Sequence, residues 1–234
     1  MKEARSLPLS SEISVLLLGI DTCGPRGSVA LARVSVGAVS VLGQRELEGR
    51  SYSATLTTAI AALLAEVGAT LADLGGMVVV NGPGSFTGVR VGVSTAKGLA
   101  EGLGLPVVAV SRLAVLAAQS GIGSAALDAH RNEVFLRVGQ PAGEPAELLA
   151  GAEDLAGLQP APARVAVCEE SAARLLREAW PVTELVLVPA PTASDALQLA
   201  AARILAGDAV ELVLLDGHYL RRSDAEIFGE AAGA

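Results

Sequence analysis

Aromatic residues are nearly missing from this chain: Phe, Tyr and Trp make up 3% of its 234 residues, while hydrophobic residues as a whole make up 51%. Its core must therefore be built from Val, Leu, Ile and Ala. Cysteine is just as scarce. Cys23 and Cys168 are too few for a disulfide framework, and buried or half-buried thiols in a reducing compartment are the plain reading. The two histidines, His130 and His218, stand 88 positions apart in different expected elements, so no closely spaced zinc-type ligand set can be assembled. The apolar run Val15 to Ile20 has only a strand's length and ends at Asp21, and Met1 to Glu12 lacks the apolar stretch of a signal peptide. The expectation is a cytoplasmic protein without membrane contact.

Basic charge is in short supply too. The formal net charge is -8. Residues 1–120 carry nine Lys+Arg against eight Asp+Glu, and residues 121–234 carry eight against 17. A phosphate backbone rewards clustered Lys and Arg, so the second half is a poor nucleic-acid face. Tight nucleic-acid binding by this chain alone is not expected, although a few local arginines can still touch RNA.

What is present reads as α/β. Glycine is plentiful, at 26 residues, which suits short turns and close backbone approaches. Val15 to Ile20 is an expected buried strand, Asp21 to Gly27 a turn, and Ser28–Ser35 with Ala38–Arg45 a hairpin. Leu56, Ile60, Leu63, Leu64 and Val67 then fall on one face of a helix, with Ser53 as its N-cap and Gly68 as its stop. Met77–Val80 and Pro106–Val110 are further strands. Helices follow each, from about Thr87 to Glu101 and from Ser111 to Gln119. The order βββαβαβα lacks the crossover helices that a dinucleotide-binding fold needs from its start, and it is the order of an actin, hexokinase or Hsp70 lobe. A looser second half holds strands at Ala125–Asp128, Glu133–Val138, Arg164–Cys168 and Leu185–Val188, and helices at Ser171–Ala179 and Ser194–Ala206. Gly139 to Pro162 reads only as a strand plus loops.

The most distinctive segment is Gly82-Pro83-Gly84-Ser85-Phe86-Thr87-Gly88-Val89-Arg90. Its glycines sit where a strand turns into a helix, the place where free N–H groups can hold an anion. It lacks the Gly-Lys-Ser/Thr ending of a phosphate loop. Close packing of the helix, through the small stripe Gly88, Gly92 and Ala96, explains the same glycines. Asp21, at the end of the first strand, fits either a carboxylate facing a metal-bound phosphate or an ordinary turn former. Gly-Pro-Gly-Ser-Phe is not a nucleophile elbow, and Ser85 reads as a helix cap. Glu169-Glu170 reads as a solvated helix start.

With these motifs the chain resembles the TsaB family, also called YeaZ and once grouped with glycoprotease-like peptidases. The resemblance runs from Leu17 to Val138 through Gly19-Ile20-Asp21-Thr22, Ser28-Val29-Ala30, the helix near Ser53, Gly82 to Gly88 with Arg90 and Gly92, and Ser94 to Leu99. Asp128-Ala129, Glu133-Val134 and Tyr219-Leu220-Arg221 fit as well. Tyr52-Ser53 stands where members usually carry His-Ser, and His130 where they carry arginine.

The resemblance implies an actin-like fold of the sugar kinase, Hsp70 and ribonuclease H-like kind, with two lobes and a reduced second lobe. Its expected divisions are an N-terminal extension over 1–12, a first lobe over 13–121, a second lobe over 122–224 and a tail over 225–234. It further implies a non-catalytic scaffold or activator. The complex it serves transfers threonylcarbamoyl to N6 of the adenosine 3' to the anticodon, in tRNAs that read codons starting with A. The implied partners are a TsaD-like catalytic subunit, a TsaE-like ATPase and, when alone, a second copy of the chain; tRNA is reached only through the complex. TsaC or Sua5 supplies the carbamoyl-adenylate donor. The chain would need no cofactor of its own, ATP and a divalent metal belonging to partner subunits. Pairing through first-lobe helices places Ser53, Leu56, Ile60, Leu63, Leu64, Gly88, Gly92 and Ala96 at the expected interface. Asp21, Gly82, Gly84, Ser85 and Thr87 form the expected vestigial nucleotide or anion site, with no catalytic or metal residue. The alternative is an actin-like ATP-hydrolysing enzyme or small-molecule kinase.

Overall fold

The computed structural model describes residues 14–48, 51–140 and 144–221. The extension expected over 1–12 and the tail expected over 225–234 lie outside the described residues.

Two five-stranded sheets share one plan. The first contains β1 (Val15–Asp21), β2 (Arg26–Ser35), β3 (Ala38–Glu48), β4 (Leu74–Val80) and β5 (Val107–Val110), in the order β3-β2-β1-β4-β5. The second contains β6 (Ala125–Asp128), β7 (Val134–Val138), β8 (Ala146–Ala150), β9 (Arg164–Val167) and β10 (Glu184–Leu187), in the order β10-β9-β6-β7-β8. In each, an antiparallel three-strand meander is followed by two parallel strands. This is the actin-like arrangement in duplicate. The second copy is the smaller, its meander strands running 4 to 5 residues against 7 to 11 in the first.

The unalternated apolar runs of β1 and β4 follow from cover on both faces. Adjacent residues of a strand point to opposite sides. On one side of β1, Gly19 lies against α6 (Ala193–Leu205), where a Cβ would come within 2.7 Å of the Ala193 carbonyl oxygen. On the other, Ile20 lies under α2 (Phe86–Leu103), next to Gly92. Helix α1 (Tyr52–Glu66) covers β2 and β3 beside α2. The first core therefore joins Leu17, Leu18, Ile20, Leu31, Met77 and Leu56 to Leu197 and Ile204. Around the second sheet lie α3 (Arg112–Ser120), α4 (Ala152–Gly157) and α5 (Glu170–Ala179). There the buried Trp180 donates its indole N–H to the Leu155 carbonyl at 2.9 Å.

Three expectations need correction. Helix α6 lies in the stretch expected as the second lobe yet packs on the first sheet, and α3 lies in the stretch expected as the first lobe yet packs on the second, so the lobes exchange helices. Gly139 to Pro162 holds a helix, α4, besides its strand; at six residues it is too short to display a helical period. Ser53 is not the cap of α1: Ser51 occupies that position and makes no side-chain cap bond.

Candidate functional site

The Gly82 to Arg90 segment leaves β4 and enters α2 against the turn after β1. Ser85 N–H donates to the Cys23 carbonyl at 2.8 Å, Ser85 Oγ accepts from Gly88 N–H at 3.3 Å, and the Thr22 hydroxyl donates to the Gly88 carbonyl at 2.7 Å. A Cβ on Gly84 would land on the Cys23 carbonyl, one on Gly88 on the Thr22 carbonyl, and one on Gly92 on the Thr22 hydroxyl. Of the two readings open for these glycines, close packing is the one the structure takes. Of the residues expected at an anion site, Gly84 lines a cleft together with Pro83. Gly82 lies under the His218 carbonyl and accepts from Arg112 N–H at 2.6 Å, Ser85 and Thr87 are exposed, and Asp21 is fully buried.

Asp21 faces a cation belonging to the chain itself. Its Oδ1 accepts from Cys23 N–H at 2.8 Å, and its Oδ2 lies 3.7 Å from Nε of Arg112, which is also buried. Asp21 Oδ2 and Arg112 Nε and Nη2 have no hydrogen-bond partner among the described residues. Burial pushes the Asp21 carboxyl above its ordinary value, opposed by the Arg112 guanidinium, and Arg112 stays a cation beside it. Tyr52 is buried and donates its hydroxyl to the Gly24 carbonyl at 2.7 Å. Burial first, and Asp21 second, raise its phenol above the ordinary range. Cys23 is buried and Cys168 half-buried, as expected of free thiols; burial pushes Cys168 up to about 12.

The residues expected at a partner interface lie mostly inside the molecule. Leu56, Ile60, Leu63 and Leu64 belong to the first core, and Gly88, Gly92 and Ala96 are buried under the same helices. The apolar stripe of α1 is spent on its own sheet. Only Ser53 is exposed. The outward faces are made of other residues: Ala54, Thr57, Ala61 and Ala65 on α1, and Ser94, Gly98 and Gly102 on α2. A Cβ at Gly98 or Gly102 would meet nothing within 4 Å.

Between the lobes lies a cleft of about 560 Å³, lined by Pro83 and Gly84 of the glycine motif, Phe86 and Arg90 of α2, Asp128 to Arg131 and Phe135 of the β6–β7 hairpin, and His218 to Arg221. At the hairpin tip His130, Arg131 and Asn132 have φ of 60°, 56° and 60°. Left-handed backbone is unfavourable for residues other than Gly, least so for Asn, and such strain gathers at functional positions. Behind the cleft, Glu147 of β8 ties three parts of the chain together. It accepts from the Ser111 hydroxyl at 2.7 Å and from Arg137 at 2.7 Å, and it meets His218 Nε2 at 2.9 Å. Burial alone would raise its pKa; these three bonds outweigh it and hold the carboxyl below its ordinary value. Glu169 is not merely a solvated helix start, since it accepts from Asp128 N–H at 3.0 Å.

Sequence reasoning missed Arg112, Glu147 and Arg131. Arg112 carried one faint signal, a lone cation opening an otherwise apolar helix. Glu147 stood in the stretch of weakest pattern and had none. Among the described residues, no group of three or more His, Cys, Asp or Glu is placed to hold a metal, and no helix is long and apolar enough to cross a membrane.

Residues 44–151 match the family model described as "TsaD: tRNA N6-adenosine threonylcarbamoyltransferase". Bacillus subtilis strain 168 has a similar protein named tRNA threonylcarbamoyladenosine biosynthesis protein TsaB, 36% identical over 123 residues, 51% of this chain and 52% of that one. An uncharacterized Mycobacterium tuberculosis H37Rv protein is 36% identical over 121 residues, 51% of this chain and 56% of its own length. The match thus spans about half the length of these relatives. Among solved structures, a Pseudomonas aeruginosa protein described as similar to peptidase YEAZ aligns with a TM-score of 0.71 at 28% identity, over 88% of this chain and 100% of that one.

Proposed function

We propose that this chain, which belongs to the TsaB (YeaZ) family of paralogues of the TsaD transferase, is the non-catalytic subunit of a complex that makes threonylcarbamoyladenosine in tRNA. In this reading it scaffolds or activates a TsaD-like subunit that carries the chemistry, the metal and the substrate contacts. A TsaE-like ATPase joins the assembly and supplies the ATP-dependent step. The chain works where tRNA is made and modified, in the cytoplasm, and reaches it through the assembled complex. In this reading the two lobes exchange helices across the expected boundary near Gly121: α3, which precedes it, packs with the second sheet, and α6, which follows it, packs with the first.

One observation carries the docking part of this reading. Gly98 and Gly102 sit on an exposed face of α2, Gly102 in its last turn, where an added Cβ would meet nothing within 4 Å among the described residues. A mid-helix glycine costs about 1 kcal/mol relative to alanine, so a bare face with no internal use suits a neighbour's backbone coming close. Beside it, the outward residues of α1 are Ala and Thr, with Ser53 at the near end. The two helices together offer a flat, small-residue platform on which two helices of a partner can pack. The residues beneath it, Leu56, Ile60, Leu63, Leu64, Gly88, Gly92 and Ala96, support the platform from inside.

The kinase or ATPase alternative lacks such support. Asp21, the carboxylate it needs, is sealed against Arg112. The test is coexpression with a TsaD-like protein from the same cell. The chain and that protein should copurify as a stable pair, and the pair should modify tRNA when supplied with the ATPase and the carbamoyl-adenylate donor. Separate elution of two folded proteins would refute the pairing.

A further inference from the structure

The inter-lobe cleft continues into a second hollow of about 460 Å³ along α2, bounded by Phe86, Arg90, Val93, Ser94, Lys97, Asp216 and Tyr219. The two share Phe86, Arg90 and Tyr219, so they form one path. At the shared point stand two aromatic rings in a chain that has few. Phe86 and Tyr219 are 41% and 40% exposed, their centroids 5.2 Å apart and their planes tilted by 49°. The Arg90 guanidinium lies 3.8 Å over the Phe86 ring. Large apolar rings left open to water, with a flat cation stacked on one of them, form a platform for another flat ring.

The charges along the path point the same way. Arg90 and Lys97 form no ion pair with any described residue. They lie two helical turns apart on one face of α2, about 10 Å along its axis. At the cleft end, Arg131 and His130 are held at the mouth by the left-handed hairpin tip. The carboxylates nearby are engaged in part: Asp128 with Ser171 and His130, Glu133 with Arg221, Glu147 with His218. Asp216 lines the second hollow with its Oδ1 accepting from Gly217 N–H at 2.7 Å.

We propose that this path binds a short unpaired stretch of RNA, one base against the Phe86–Tyr219–Arg90 platform and the flanking phosphates on Arg90 and Lys97. The proposal rests on the reading of the chain as a subunit of a tRNA-modifying complex, and adds to it a contact made by this subunit itself. An aromatic platform joined to a cationic track is how proteins hold single strands without reading sequence. A free mononucleotide would use the cleft and leave the second hollow and Lys97 idle. The acidic remainder of the chain keeps the binding weak and local, in line with a contact that matters inside an assembly rather than alone.

Fluorescence anisotropy of a labelled single-stranded hexaribonucleotide, titrated with the full chain at low salt, tests it. Binding should weaken with salt with a log–log slope of about -0.7 for each phosphate neutralised. Phe86→Ala and Arg90→Ala should each weaken it about fivefold or more, the range of a lost base stack, and Lys97→Ala should reduce the salt slope by about one contact. All three side chains are at least partly exposed, and thermal unfolding verifies that the variants stay folded. Absence of binding by the wild-type chain, wild-type binding by the variants, or displacement of the RNA by AMP or polyglutamate as readily as by unlabelled RNA would each overturn the inference. Copurification of the same variants with the TsaD-like protein separates the two claims. Retained pairing with no RNA binding leaves the scaffold reading standing, whereas RNA binding without any pairing defeats the scaffold reading alone.

Discussion

At the scale of single residues, the turn after β1 governs what the first lobe can tolerate. Gly88 approaches the Thr22 carbonyl so closely that a Cβ has nowhere to go, because the obstacle is backbone. Gly88→Ala should cost about 1–3 kcal/mol and lower the Tm by several degrees, measured by thermal denaturation. Gly92→Arg should fail to fold, since its side chain would be driven into the Thr22 hydroxyl and Ile20. Arg112 and Asp21 depend on each other. Arg112→Ala leaves a buried carboxylate unpaired and should cost about 3–5 kcal/mol, whereas Arg112→Ala combined with Asp21→Ala should recover part of the loss. Glu147 adds a pH signature. Its pKa is depressed in the folded chain from an ordinary 4.5, so its contribution is complete above that value and is lost as pH falls through the folded pKa. As pH falls below the ordinary carboxyl range, the Tm of the wild type should fall more steeply than that of Glu147→Gln, the two curves converging at acid pH. The roles of Gly84, Ser85 and Gly88 were half legible in the sequence. A glycine motif announces close approach without saying whether the thing approached is a phosphate or the chain's own carbonyl. Arg112 and Glu147 escaped because a buried charge is defined by its partner, and their partners lie far along the chain.

At the scale of elements, the two helices covering β1 to β4 have separate inner and outer roles. The inner stripe of α1 reads clearly from its 3.6-residue period, but periodicity cannot say whether an apolar face meets a sheet of the same chain or another protein. The burial of Leu56, Ile60, Leu63 and Leu64 decides for the sheet. In the proposed function the docking role falls to the outer face because it is bare. Gly98→Ala should therefore raise stability by about 1 kcal/mol and weaken copurification with the TsaD-like protein modestly, if at all. Gly98→Arg should keep or raise stability while abolishing that copurification. Unfolding curves and pull-down of the two variants side by side check this, and a Gly98→Arg chain that still pairs at the wild-type level moves the docking surface elsewhere. Strands and helices of the first sheet were legible in kind and order, with ends off by up to three residues, as at β3 and β4, because most of them are long and strongly patterned. Helix α4 was not, being short, and α6 was legible as a helix but not as a member of the first lobe. Nothing local in Ala193 to Leu205 distinguishes a sheet at one end of the chain from a sheet at the other.

At the scale of the whole molecule, two copies of one sheet plan are joined by α3, by the return of α6 and by the Glu147 bonds, with a cleft left open between them. In an actin-like enzyme such a cleft holds the chemistry. Here Asp21 is buried against Arg112 and neither lines the cleft, whose walls carry Phe86, Arg90, Asp128, Arg131 and Tyr219. The central claim is that this chain enables a reaction it does not perform. The most direct test is reconstitution with purified components: tRNA, the carbamoyl-adenylate donor, the ATPase and the TsaD-like protein, with and without this chain, and this chain without the TsaD-like protein. Mass spectrometry of the digested tRNA reads out threonylcarbamoyladenosine. Modification should appear only when the chain and the TsaD-like protein are both present. Modification by the chain with no TsaD-like protein, or an equal rate from the TsaD-like protein whether or not the chain is added, would contradict it.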